Sequence, residues 1–316
     1  MLFATLDWSA VMKLETPPLI VTSAPRLASP AAALGAAFVL LWCTGYPAAK
    51  LALAHAAPLT LLVLRFGSAA MLLALLAVFA GVSWPRGRTA LHSVVTGALS
   101  LALQFGALYV AVALGVNVGI AALVIGMTPI ATALISRALG EALSSRQWLG
   151  FAFGAAGVVL AVADRIGTSD APWFAYLLLL LGLAGIGAGT VYQKRFAVDV
   201  DPRAGLAIQQ ASATLLLLPF ALHEGFRFDA SAAFLGSLGW LIVVNSLIAF
   251  ALMFVLLRRG AASRVAALFF LMPPVTAIMN YFVLGDALTV AKIAGFALAT
   301  FGVWLATREP ATPHAS

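Results

Sequence analysis

The feature that most narrows what this chain can become is a succession of apolar runs, each about twenty residues long, continuous rather than alternating, between residues 32 and 307. A bilayer's hydrocarbon core is about 30 Å thick and takes roughly 20 helical residues to cross. Inside it every backbone N–H and C=O must be bonded within the protein, so only helices and closed barrels qualify. A barrel strand alternates apolar and polar positions, and these runs do not. Composition enters as the check: 63% hydrophobic against 9% charged, with a mean hydropathy of +1.06, where a soluble domain has about half and a quarter. That excludes a cytosolic enzyme, a secreted disulfide scaffold and a disordered chain. The single cysteine, Cys43, has no intrachain partner.

The runs predict ten spans, at 32–54, 58–81, 90–113, 116–139, 146–164, 172–194, 204–222, 232–257, 262–284 and 288–307. Nine is the competing count, because 108–125 reads almost as one run; Leu114-Gly115-Val116-Asn117 is the turn that divides it. The first thirty residues do not read as a cleaved signal, since Asp7, Glu15 and Pro17-Pro18 interrupt them before a long apolar core forms. They read as a disordered tail, with a short interfacial helix around Trp8, Val11, Met12 and Leu14 as the alternative.

A net charge of +7 and a pI near 10.1 would suggest nucleic acid in a soluble protein. Placed against ten spans, the charges describe topology instead. With the N-terminus inside, Lys13, Arg26, Arg86, Arg88, Arg137, Arg146, Lys194, Arg195, Arg203, Arg258, Arg259, Arg264 and Arg308 fall on the cytoplasmic side. Only Lys50, Arg165, Arg227 and Lys292 fall opposite, and Arg65 lies within a span. The bias puts both termini in the cytoplasm. No nucleic-acid partner is expected.

The chain also repeats itself. An offset of 145 brings Gly115 onto Gly260, Ala121-Ala122-Leu123 onto Ala266-Ala267-Leu268, and Pro129 onto Pro274. It also brings Gly140-Glu141-Ala142-Leu143 onto Gly285-Asp286-Ala287-Leu288, and Gly150 and Gly157 onto Gly295 and Gly302. In the earlier spans an offset of 144 pairs Lys50 with Lys194 and Pro58 with Pro202. Five spans is an odd number, so the second copy must enter the membrane upside down. Inverted repeats of this kind recur in secondary transporters, where the halves exchange conformations to move a solute.

The segments LWCTGYPAAK at 41–50, PLTLLVLRF at 58–66, 103–135 and LGEALSSRQWLGFAFGAAGVVLAV at 139–162, with 269–305 in the second copy, resemble the EamA-type carriers of the drug/metabolite transporter superfamily. The resemblance covers about 31–307. It implies an all-α polytopic membrane protein with ten transmembrane helices as two inverted five-helix EamA repeats. The repeats would occupy 31–165 and 172–307 between cytoplasmic tails at 1–30 and 308–316. A central cavity between the halves, export of metabolites, amino acids or drugs, and fifth and tenth helices outside the cavity are further implications.

Arg65 stands out among the polar residues inside spans. Seven residues past Pro58, it lies roughly 10 Å below the surface, where an arginine costs about 2.5–3.5 kcal/mol. It either snorkels to the interface or faces a cavity and holds a carboxylate or phosphate. Lys50 on the preceding helix lies at a similar depth. With them we expect Trp42, Tyr46, Gln104, Tyr109 and Gln209, the repeat mate of Arg65, to bind substrate. Amphipathic rings beside amides suit a small organic molecule with one apolar and one charged end. The rest of the polar set (Asn117, Thr128, Tyr192, Gln193, Gln210, Asn245, Ser246, Asn280 and Tyr281) is expected to bond helix to helix. Pro129, Pro273 and Pro274 inside spans mark bends or flexing points. Gly150, Gly154 and Gly157 with Gly295 and Gly302 give small-residue faces for packing within the monomer, with a homodimer interface as the alternative.

The acidic residues all fall in tails, loops or span ends, as do His55, His92, His223 and His314. Ion coupling usually uses a buried carboxylate or histidine, so uncoupled facilitated diffusion or exchange is expected, with coupling through Glu141 or Asp286 as the alternative. No metal ligand set and no cofactor are indicated. Leu284-Gly285-Asp286 resembles an intramembrane aspartyl protease motif but lacks its first glycine and a second embedded aspartate; HExxH and Gly-x-Ser-x-Gly are missing too. The expected function is an alternating-access carrier for a small metabolite, an amino acid or related carboxylate first, in export. A flippase for a lipid-linked headgroup and a non-transporting scaffold or channel are the alternatives.

Overall fold

The structure is a computed structural model that describes residues 30–140, 143–163, 171–197, 200–258 and 271–307. The two expected tails at 1–30 and 308–316, Glu141, and the topology charges Lys13, Arg26, Arg165, Arg259, Arg264 and Arg308 lie outside these residues, apart from Pro30. Among the described residues the elements are helices: α1 (Pro30–Cys43), α2 (Gly45–Leu53), α3 (Pro58–Phe79), α4 (Arg88–Gly97), α5 (Gln104–Ala113), α6 (Val118–Gly126) and α7 (Thr128–Ala138). They continue with α8 (Ser145–Ala163), α9 (Trp173–Phe196), α10 (Pro202–His223), α11 (Ala232–Trp240), α12 (Phe250–Arg258), α13 (Met272–Leu284) and α14 (Val290–Thr307). Two π-helical stretches, Ala98–Leu103 and Leu241–Ala249, join α4 to α5 and α11 to α12 without a break.

Among the described residues, seven helices, taken as continuous rods, are long and apolar enough to cross a membrane: Ala33–Leu53, Pro58–Phe79, Arg88–Ala113, Val118–Ala138, Trp173–Phe196, Pro202–His223 and Ala232–Met253. Met272–Leu284 and Val290–Leu305 are apolar but shorter. The difference from ten has visible causes. Helix α8 opens on the polar Arg146 and Gln147, and α13 begins only at Met272, with Leu271 as its N-cap and prolines in its first turn. Large apolar side chains face outward, with Leu215 69%, Phe282 78% and Val290 84% exposed, a surface suited to lipid and not to water.

Local chemistry sets the breaks. The expected turn after Ala113 is present: Gly115 takes φ +102°, open to glycine alone without strain. Asn117 then caps α6, its Oδ1 accepting from Gly119 and Ile120 N–H. Pro129 sits in the first turn of α7, directly after the break at Met127, and Pro273 and Pro274 open α13. The first span is broken as well, at Thr44. Pro47 has no N–H to offer the carbonyl four residues back, a bend that the prolines singled out from sequence did not include.

Helices α8 and α14 run in contact along their length. A Cβ on Gly157 would lie 2.7 Å from Gly295 O, and one on Gly302 2.6 Å from Gly150 O. Position rises along one helix as it falls along the other, so the two are antiparallel, and the small-residue faces meet inside the monomer. Helices α3 and α10 also pack together, with Gly67 against Thr214 and Leu59 beside Glu224.

At one end of the bundle the loops are tied. Ala57 N–H donates to Arg227 O (3.0 Å) and Asp229 N–H to His55 O (2.7 Å), around an antiparallel bridge of Ala56 with Phe228. Glu224 accepts from the free N–H groups of Leu59 and Thr60 at the start of α3, and Asn117 Nδ2 donates to Asp286 (2.9 Å). Near the other end His92 meets the Tyr192 hydroxyl at 2.8 Å and stacks on Phe196. Cys43 is fully buried, its thiol directed at the Met272 carbonyl 3.6 Å away.

Candidate functional site

A cavity of about 40 Å³ lies between α1–α2, α3, α5 and α6 on one side and the second π-helical stretch with α12 on the other. Trp42, Tyr46 and Ala49 reach it from the broken first span, Arg65 from α3, Gln104 and Tyr109 from α5, and Asn245 and Phe250 from the far side. The spacing 42, 46, 49 is one face of a helix. Its walls are otherwise apolar, including Leu53, Leu108, Val112 and Val118. Helices α8 and α14 contribute nothing to the lining. The space holds roughly three waters, whereas organic ligands occupy roughly 300 Å³ or more, so these helices must part before a metabolite fits.

Arg65 is 3% exposed and does not snorkel. Its Nε donates to Ser246 Oγ (3.0 Å) and its Nη1 to the Tyr109 hydroxyl (2.7 Å). The rings of Phe66 and Phe105 lie 5.3 and 4.9 Å from its Cζ, inside cation–π range. Both hydrogen-bond partners are neutral, so nothing among the described residues neutralises the charge. The guanidinium can therefore take an anion, and Nη2 has no partner among the described residues.

Of the seven residues expected at the site, the cavity brings together Trp42, Tyr46, Arg65, Gln104 and Tyr109. Lys50 is not among them: it is exposed, one position past Ala49 and about 100° round the helix from the lining face. Gln209 is also elsewhere. It is buried where its backbone carbonyl packs on Gly97 and accepts from Ser212 Oγ. Being the repeat mate of Arg65 places it on the matching helix, not in the same cavity. Asn245 bonds helix to helix as expected, through Nδ2 to the carbonyls of Leu41 and Trp42, and it also lines the cavity, with its buried Oδ1 lacking a partner among the described residues. A consecutive Asn-Ser pair inside the run LIVVNSLIAF was the signal for it.

The sequence matches the EamA-like transporter family twice, over residues 29–163 and 173–308. It is 28% identical over 277 residues to the inner membrane transporter YedA of Escherichia coli (strain K12), covering 86% of this chain and 90% of the relative. The transporter YvbV of Bacillus subtilis (strain 168) is 28% identical over 287 residues, 87% of this chain and 90% of its own. A protein of Escherichia coli (strain K12) named "Probable amino-acid metabolite efflux pump" is 25% identical over 280 residues, 84% and 91% of the two chains. A solved crystal structure superposes with a TM-score of 0.66 at 21% identity, over 89% of this chain and 97% of that one, and shares the fold.

Proposed function

The chain belongs to the EamA-like transporter family, a multi-pass membrane transporter and not an enzyme, and on that premise we propose that it exports a small carboxylate, foremost an amino acid, by alternating access. The observation that carries the substrate class is Arg65: a buried cation with only neutral partners, in the wall of a mainly apolar cavity. A ligand with a carboxylate and an apolar body completes both features. The relative named as an amino-acid metabolite efflux pump agrees with that choice and with the direction.

The mechanism we propose uses ten spans as two inverted repeats, 31–165 and 172–307. The glycine contacts of α8 and α14 support the inversion. Gly157 touches Gly295, the mate of Gly150, while Gly150 touches Gly302, the mate of Gly157, the reciprocal pattern that a two-fold axis between paired helices produces. The charge bias puts the tied loops 54–57 and 224–229 on the outer face, with both termini inside. In this conformation the outer face is shut, and the cavity is reached from the cytoplasm once the inner ends separate. Transport runs down the substrate gradient or by exchange, without proton or sodium movement.

Counterflow in proteoliposomes tests this with L-leucine and L-leucinamide, which keeps the side chain and loses the carboxylate. Leucine is expected to exchange. Arg65→Ala should weaken leucine by about 10–100-fold and leave leucinamide binding within about threefold. Equal weakening of both would remove Arg65 from its assigned role, and substrate-linked proton movement at fixed stoichiometry would overturn uncoupled transport.

A further inference from the structure

Arg65 is held from two sides of the molecule. Tyr109 belongs to its own half of the chain, whereas Ser246 belongs to the other and sits, fully buried, in the π-helical stretch Leu241–Ala249. A π-helical turn bonds i to i+5, about one residue more than an α-helical turn, and is rare and frequently found at functional sites. Here it lets two neighbouring polar residues serve different helices. Asn245 Nδ2 donates to the carbonyls of Leu41 (2.8 Å) and Trp42 (3.3 Å) beside the break in the first span, while Ser246 turns to Arg65. Trp240, just before the stretch, donates from Nε1 to Thr44 Oγ1 (2.9 Å) at the same break. The Ser246 carbonyl accepts from Gln210 Nε2 (3.4 Å), which anchors the stretch to α10.

The arrangement has a counterpart. The offset of 144 carries Ala98–Leu103, the other π-helical stretch, onto 242–247. Gly45 approaches Asn245 closely, and its mate Gly189 approaches Ser100 in the first stretch just as closely. Each π-helical stretch is thus pressed against a glycine of the opposite half.

We propose that Ser246 is a positioning residue for the transported anion: by accepting from Arg65 Nε it fixes the plane of the guanidinium and leaves Nη2 as the edge that meets the carboxylate. This rests on the carboxylate reading given above. Arg65 then belongs to the first half by its backbone and to the second by its orientation. Loss of the Ser246 hydroxyl leaves the charge in place but lets it turn, so it weakens binding and not the movement of the halves.

The full-length protein in proteoliposomes and nanodiscs tests this with Ser246→Ala and Ser246→Thr, using L-leucine as probe and the ¹⁵Nε–H resonances of arginine as a substrate-free readout. The Arg65 resonance is the one that Arg65→Lys removes. Ser246→Ala should raise the leucine KM about tenfold with kcat within about twofold, and should speed exchange of the Arg65 Nε–H with water. Ser246→Thr should restore both. An unchanged Arg65 resonance in Ser246→Ala, or kcat falling with KM unaltered, would overturn the proposal. If the wild type moves no leucine, the carboxylate reading fails and the resonance alone decides the positioning. Should Ser246→Ala not fold, Ser246→Cys replaces it: intermediate exchange supports the proposal, and wild-type exchange overturns it.

Discussion

Arg65 shows how a span carries a full charge without an acid to balance it. Lipid exposure would cost it about 2.5–3.5 kcal/mol; two hydrogen bonds and two ring faces offset part of that. Since neither partner is charged, its removal strands no buried ion. Arg65→Leu should therefore leave the Tm of the purified protein unchanged or raised by a few degrees while carboxylate transport is lost, the trade expected where a site is kept for function. Glu224 is the opposite case. Its carboxylate supplies the N-terminal cap that Ala57 cannot give α3, so Glu224→Ala should lower stability by about 1 kcal/mol, read as a drop in Tm. At this scale, polar residues inside apolar runs were legible in the sequence, and five of the seven named from it line one cavity. It could not separate Trp42 and Tyr46 from Lys50, because facing depends on how the helix is rotated in the bundle. Nor could it separate Ser246 from an ordinary interhelical hydroxyl.

The helices divide into those locked at glycine contacts and those interrupted by π-helical turns. Helices α8 and α14 hold, through backbone contacts at glycine. A methyl at Gly157 meets Gly295 O, which is backbone and cannot move aside, whereas one at Gly154 meets Ile130 Cδ1 at 2.7 Å, the end of a flexible side chain. Gly157→Ala should thus lower the Tm clearly more than Gly154→Ala, by about 1–3 kcal/mol of lost stability. Equal effects would show that the two helices can slide apart. The third and eighth spans instead carry π-helical stretches, where the α-helical hydrogen-bond ladder changes step. The break at Gly115 and Asn117 was legible because positive φ and helix capping leave residue signatures. The π-helical stretch was not, since ALSLAL at 98–103 has nothing to distinguish it from any helix interior, and its close neighbour Gly189 lies far off in the sequence.

At the scale of the whole molecule, the tied loops make a testable lock. Facing residues of an antiparallel bridge have Cα atoms about 4.5–5.5 Å apart, within the range a disulfide spans. Ala56→Cys with Phe228→Cys should therefore join under mild oxidant, stop leucine counterflow, and release it on reduction. Continued counterflow with the bond formed would show that this end need not open. The repeat in the sequence anticipated two matching halves. It did not anticipate that they would be used unequally, with most of the cavity wall drawn from the first and the carboxylates Glu224, Asp229 and Asp286 at the tied end drawn from the second.

Burial of Cys43 against the Met272 carbonyl has a practical consequence. While that sulfur stays buried the native chain is a quiet background for thiol chemistry, so dyes or spin probes report from wherever a cysteine is introduced. Should the first and ninth spans come apart during turnover, that same sulfur becomes a built-in clock, its alkylation marking the fraction of time they spend separated.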